Sequence, residues 1–136
     1  YFILELLKLL FYTLCIDIWF FHLHYAFHLS PTLYKIHKFH HRIYSTSAVS
    51  ALDANPIEHL ILNLGAIIVG PFLWNGPSIT IKLWVILSTI STCVAHSGYK
   101  HYFVGKEHNL HHRLSKYNYG QGLYLFDKLF GTYRIK

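Results

Sequence analysis

Hydrophobic positions along the chain gather into three long runs separated by polar stretches. The first goes from Tyr1 to about Phe21 and continues as a helical pattern toward His28. It matches the roughly 20 apolar residues that a hydrocarbon core demands. Glu5, Lys8 and Asp17 interrupt it, and charges at that depth are costly unless they face protein or serve function. Ser30-Pro31 predicts its end, because proline disfavours helical geometry in the preceding residue. Asp53-Ala54-Asn55-Pro56 reads as a turn, with Pro56 suited to open a new helix. A second run follows from Ile57 to Trp74, then the tight turn Asn75-Gly76-Pro77-Ser78, then a third run from Ile79 to about Ala95. The last two runs predict a helical hairpin across a bilayer. Trp74 and Trp84 suit an aromatic belt near its tip. Residues 32–56 and 97–136 are polar and basic, apart from the apolar patch Leu123–Phe130.

The pattern therefore predicts one all-α, membrane-embedded domain over 1–136. It has about three transmembrane helices and a histidine-rich helical cap.

Composition agrees. Hydrophobic residues are 53% and charged residues 13%, against about 25% charged in soluble domains. This disfavours both a free-standing soluble globule and a disordered tail. The formal charge is +6. The basic residues flank the apolar runs: Lys35, Lys38 and Arg42 in the first polar segment, and Lys100, Lys106, Arg113, Lys116, Lys128, Arg134 and Lys136 in the last. That is the pattern of cytosolic basic loops, not the single stripe of a nucleic-acid binder. Cys15 and Cys93 lie inside apolar runs and read as reduced, buried side chains. No cleavable signal peptide is evident: the first run is long and carries charges. The chain lacks methionine altogether, so a piece of a longer protein, truncated at its N-terminus, is expected.

Histidine changes the picture most. There are 12, and on the predicted topology their clusters share one membrane face. His24 and His28 end the first helix. His37, His40 and His41 follow it. The hairpin returns at His96, and His101, His108, His111 and His112 lie beyond. His24 and His28 are four apart and share a helix face. His37/His40/His41 and His108/His111/His112 repeat an i, i+3, i+4 spacing. Imidazole is the commonest neutral metal ligand and suits Zn, Cu, Fe and Ni. So many rings exceed one tetrahedral zinc and suit two metals. A basic, histidine-rich surface explains abundance but not repeated spacing. His22 and His59 are read as ordinary helix residues.

These residues resemble the fatty acid hydroxylase/sterol desaturase superfamily of membrane di-iron oxygenases. The boxes read His24-Tyr-Ala-Phe-His28, His37-Lys-Phe-His40-His41 and His108-Asn-Leu-His111-His112. Asp17 resembles the acidic residue before the first box. Asn55-Pro56-Ile57-Glu58 resembles the H-P-x-E segment, with Asn for His. His96-Ser97-Gly98-Tyr99 resembles the H-S-G-Y signature of the methylsterol monooxygenase and cholesterol hydroxylase branch. Asn118-Tyr119-Gly120 and Phe126-Asp127-Lys128-Leu129-Phe130-Gly131-Thr132 resemble its closing stretch. The third box departs: Glu107 stands where an extra histidine often stands, and either His101 is a replacement ligand or water fills that position.

The resemblance implies two Fe ions held by His24, His28, His37, His40, His41, His96, His108, His111 and His112, with Zn possible in preparations. Asp17 is a candidate to orient a histidine from outside the ligand set, or else serves helix packing. O2 and an external donor of the cytochrome b5/reductase type would complete the chemistry, since no dinucleotide or flavin fingerprint is present. The expected substrate is a sterol or fatty-acyl lipid, hydroxylated or desaturated. The expected location is the endoplasmic reticulum in a eukaryote or the inner membrane in a bacterium, with the metal site facing the cytosol. The alternatives are a histidine-rich membrane metal-binding or transport protein and an inactive oxygenase homologue. A zinc hydrolase fits poorly, since H-E-x-x-H is absent.

Overall fold

The computed structural model describes residues 1–99 and 105–135. Their regular structure is entirely helical, with no strand among them. Helix α1 spans Phe2–Leu29, 28 residues without glycine or proline, about 42 Å at 1.5 Å per residue. It stops at Ser30, whose extended backbone breaks the helix and whose hydroxyl accepts from Leu33 N (3.4 Å) to open α2, Pro31–His37. Short 3-10 turns follow at His40–Arg42 and Ala48–Leu52. Helix α3 is the continuous run Pro56–Leu73, with Pro56 in its first turn and Asn55 Oδ1 accepting from Ile57 N at 3.0 Å. Helix α4 spans Ser78–His96, α5 Gly105–Leu114 and α6 Leu125–Leu129.

Helices α3 and α4 are long and apolar enough to cross a membrane. Helix α1 lies antiparallel to α3. Its Tyr12 hydroxyl donates to the Trp74 carbonyl (2.7 Å), and about two turns of α1 later Trp19 Nε1 donates to the Ile61 carbonyl (3.0 Å). Phe20, Leu62 and Ala66 make the buried core between them, flanked by Ile16, Trp19 and Leu23. Two glycines permit this approach. A Cβ on Gly70 would lie 2.8 Å from Tyr12 Cα, and one on Gly65 would lie 2.9 Å from the Trp19 ring.

The polar interruptions of α1 face protein. Lys8 donates to Glu5 Oε1 (3.0 Å), and the Thr80 hydroxyl donates to Glu5 Oε2 (2.8 Å). That group sits at the hairpin tip, so α1 carries His24 and His28 to the opposite end, beside Pro56 and His96. Trp84 corrects an expectation. It is 5% exposed rather than at a lipid interface. Pro71 has no N–H for the Ile67 carbonyl four residues earlier, and Trp84 Nε1 donates there instead, at 2.9 Å. Trp74 remains partly exposed, and Cys15 and Cys93 are both free.

Replacing Gly70 with Val forces backbone against backbone at Tyr12. Overpacking costs about 1–3 kcal/mol, so Gly70→Val is expected to lower the unfolding midpoint in detergent. An unchanged midpoint would contradict the packing described.

Candidate metal centre

The residues that face the membrane end of the cap are imidazoles. His24 and His28 come from the last turns of α1, His37 from the end of α2, His40 and His41 from the 3-10 turn after it, His96 from the end of α4, and His108, His111 and His112 from α5. They form two sets. One is His24, His28, His37, His41 and His111; the other is His40, His96, His108 and His112. Within each set the ligand atoms lie within 4.8 Å of one another.

The sorting follows helix geometry. In each of the three boxes the i and i+4 rings join one set: His24 with His28, His37 with His41, His108 with His112. Residues four apart lie about 40° apart around a helix, whereas i+3 lies on the other side of i. So His40 leaves its box for the second set, and His111 leaves its box for the first. Each HxxHH box thus serves both sets.

In seven of the nine rings Nδ1 faces outward to a partner on backbone or side chain, whereas His108 Nδ1 is buried with no partner among the described residues. His24 Nδ1–H donates to the Tyr119 carbonyl (2.6 Å), His111 to Tyr117 (2.7 Å), His40 to Asp53 (3.0 Å), His96 to Thr92 (3.0 Å) and His112 to Ile43 (3.1 Å). His37 Nδ1 donates to the Glu58 carboxylate at 2.8 Å. His41 Nδ1 lies 3.3 Å from the Ser115 hydroxyl.

A neutral imidazole has one N–H, so these contacts leave Nε2 bare. The bare nitrogens converge. In the first set His24–His37, His37–His28 and His111–His41 are each 3.0 Å apart, and His28–His111 is 3.1 Å. In the second set His108–His96 is 2.9 Å and His96–His40 is 3.4 Å. His112 Nε2 is buried with no partner.

Lone pairs at these separations repel unless a cation lies between them. A proton is disfavoured. Burial, with neighbouring imidazoles adding to it, pushes His41 down to about 3 and His112 to about 2, and pushes His37, His108 and His111 well below the usual imidazole range. Donors about 2.1 Å from a common ion stand about 3.0 Å apart at right angles and about 3.4 Å apart at the tetrahedral angle. The observed separations match, so both sets fit a metal ion.

A loop from the C-terminal segment fixes the outer shell. Asp127, fully buried, accepts from Tyr119 N (2.8 Å), Gly120 N (2.6 Å) and the Thr132 hydroxyl (2.7 Å). Asn118 adds bonds to the Glu107 and Arg134 carbonyls at 3.0 and 2.8 Å. These contacts hold the Tyr119 carbonyl on His24.

Comparison with known proteins follows this geometry. A family model described as fatty acid hydroxylase matches residues 9–132. The chain belongs to the fatty acid hydroxylase family. It is 37% identical over 130 residues to the human fatty acid hydroxylase domain-containing protein 2, covering 93% of this chain and 38% of that protein. It is 34% identical over 139 residues to Arabidopsis thaliana methylsterol monooxygenase 2-2, covering 92% and 52%. It is 34% identical over 140 residues to the very-long-chain aldehyde decarbonylase GL1-11 of Oryza sativa subsp. japonica, covering 92% and 52%. The chain thus spans about half or less of the length of these relatives. No solved structure matches.

Against the family motifs, the structure relocates two acids. Asp17 touches no histidine among the described residues. Its Oδ2 accepts from Leu125 N (3.0 Å) at the start of α6, so it docks the C-terminal segment on α1. The carboxylate on a ligand histidine is Glu58, held in the first turn of α3. The Asn55-Pro56-Ile57-Glu58 segment was its signal, although the resemblance alone gave Glu58 no partner. The Glu107 carboxylate accepts from the Tyr133 hydroxyl (3.2 Å) and belongs to neither set. His101 lies outside the described residues. His22 and His59 are engaged locally, with Ile18 and Asn63.

Carboxylates behind metal-bound histidines typically contribute 10–100-fold in affinity, so Glu58→Gln is expected to weaken metal retention by about that factor. Chelator competition followed by metal analysis reads it; unchanged retention would remove Glu58 from the site. Asp127→Ala leaves three donors without their acceptor, at about 1–3 kcal/mol for each buried orphan. Both a lower unfolding midpoint in detergent and lower metal content are expected.

Proposed function

We propose that this chain is the metal-binding core of a membrane oxygenase that uses two iron ions and O2 to oxidise a C–H bond of a sterol or fatty-acyl lipid. The observation that carries the reading is the pair of buried imidazole sets with their bare Nε2 atoms converging. Family membership and the oxygenase relative support it. The five-nitrogen set exceeds the four ligands of a structural zinc and suits a metal of higher coordination number, although Zn can occupy histidine sites in preparations. Iron bound there would supply the redox chemistry by which O2 is activated toward an unactivated C–H bond.

The chain's own residues do the rest. The Nδ1 contacts fix ring tautomer and orientation, which is how a protein tunes a metal through groups behind its ligands. Burial excludes water from the second set, whereas His28 and His41 of the first set are partly exposed. An apolar cavity of about 170 Å³ lies between α3 and α4 and is lined by Ile16, Phe20, Leu64, Ala66 and Ile67 among others. A nook of about 10 Å³ beside His24, His37, His40, His96 and His108 shares Phe20, Ala51, Asn63, Thr92 and Gln121 with it. This continuity supports entry of an apolar substrate from the bilayer.

In this reading α1 is a third membrane span, and the metal sites face the cytosol. The membrane is the endoplasmic reticulum in a eukaryote or the inner membrane in a bacterium. Electrons come from a separate donor such as cytochrome b5 with its reductase. A transport role is less well supported, because the histidines gather at one end of the helices instead of lining a path through them.

The test is lipid mass spectrometry of cells expressing the protein or its variants. Wild type is expected to bind about two metals and to yield an oxidised lipid. His40→Ala and His111→Ala each strip one set and are expected to abolish that product while the chain stays in the membrane. A wild-type protein without metal, or full turnover by either variant, would overturn the proposal.

A further inference from the structure

Three voids in the described structure meet at one side chain. The apolar cavity between α3 and α4, a second cavity of about 270 Å³ between α1 and α4, and the metal nook are all lined by Gln121, and no other residue borders all three. The side chain stands between Gly120 and Gly122, two residues beyond the carbonyl that holds His24. Its Nε2 donates to the Thr92 hydroxyl at 2.6 Å. Thr92 is equally tied to the site: its carbonyl accepts from His96 Nδ1, and its hydroxyl donates to Ser88 O at 3.0 Å. Gln121 Oε1 has no hydrogen-bond partner among the described residues.

We infer that Gln121 is a specificity-determining residue, and that its carboxamide oxygen accepts from a hydroxyl on the lipid substrate near the carbon to be oxidised. The inference rests on the lipid-oxygenase reading and refines its substrate to a lipid alcohol. A carboxamide facing apolar cavities loses water when a hydrocarbon fills them, and an unpaired acceptor there is penalised. A substrate O–H removes the penalty. Thr92 takes an amide N–H and leaves the carboxamide oxygen for a substrate, and a lipid hydroxyl bound by Gln121 would lie close to the metal nook that the same residue lines. Sites built to pair a substrate hydroxyl reject the analogue lacking it far more strongly than apolar pockets reject a small change in size.

The experiment compares a lipid alcohol with its matched deoxy lipid as substrates for the membrane-embedded protein with its electron donor. Metal content and kcat/KM are measured together. Wild type is expected to favour the alcohol by at least tenfold. Gln121→Leu is expected to erase that preference, by lowering kcat/KM for the alcohol at least tenfold more than for the deoxy lipid while the metal is retained. Thr92→Val keeps the carbonyl that holds His96 but frees the carboxamide, and it is expected to reduce the preference and broaden the position of oxidation. A preference retained in both variants overturns the inference and leaves the oxygenase reading standing. No oxidation of either lipid by metal-loaded wild type overturns both.

Discussion

The structure depends on the mutual repulsion of bare imidazole nitrogens. Nine imidazoles are brought together in two sets, and in at least five of them a backbone carbonyl holds the proton on the far side from the converging Nε2 atoms. Such an arrangement is unfavourable in isolation and has to be held in place. The holding groups are mostly backbone carbonyls: Tyr119, Tyr117, Asp53, Thr92 and Ile43. Carbonyls only accept, so each forces its ring into the Nδ1–H tautomer. The Glu58 carboxyl group faces His37 Nδ1 in the same way. The cage is therefore prepared for a cation by groups that do not touch it.

That requirement explains much of the remaining fold. Carbonyls at residues 117 and 119 are useful only if the C-terminal loop is rigid, and Asp127 and Asn118 make it so. The loop must also sit against α1, and Asp17 anchors it there through Leu125. On the membrane side, α1 must bring His24 and His28 to the level of His96, so it packs tightly along α3. Gly65 and Gly70 allow that contact, and Trp19 and Trp84 satisfy carbonyls of α3 at Ile61 and Ile67. The Glu5–Lys8–Thr80 group closes the far end, where a lone charge would be costly.

Much of this was legible in the residues. Three apolar runs, Ser30-Pro31, Pro56 and the Asn75–Ser78 turn marked the long helices nearly to the residue. The three boxes marked the candidate ligands, because 3.6-residue periodicity makes i and i+4 neighbours wherever a helix forms. The partition of His40 and His111 into opposite sets was not legible. It depends on how α2, the following turn and α5 face one another. The outer contacts were hidden for a different reason: every residue has a carbonyl, so nothing in the letters marks Tyr119 or Ile43 as an acceptor. Trp84 was misplaced because composition gives depth along a helix but not which side faces protein. Asp17 was open between orienting a histidine and serving helix packing, because its hydrogen-bond partner Leu125 lies over a hundred residues later.

The two sets differ in surroundings, and the difference has consequences for chemistry. His40, His96, His108 and His112 are all buried, while His28 and His41 are partly exposed. The apolar cavity and the nook beside the histidines share Phe20, Asn63, Thr92 and Gln121 in their linings. The same two helices, α1 and α4, end in ligands and line the cavities. A shift of either helix moves ligand and substrate wall together. The placement of the cavity relative to the imidazole sets is thus fixed by helix packing as much as by the cavity's own side chains.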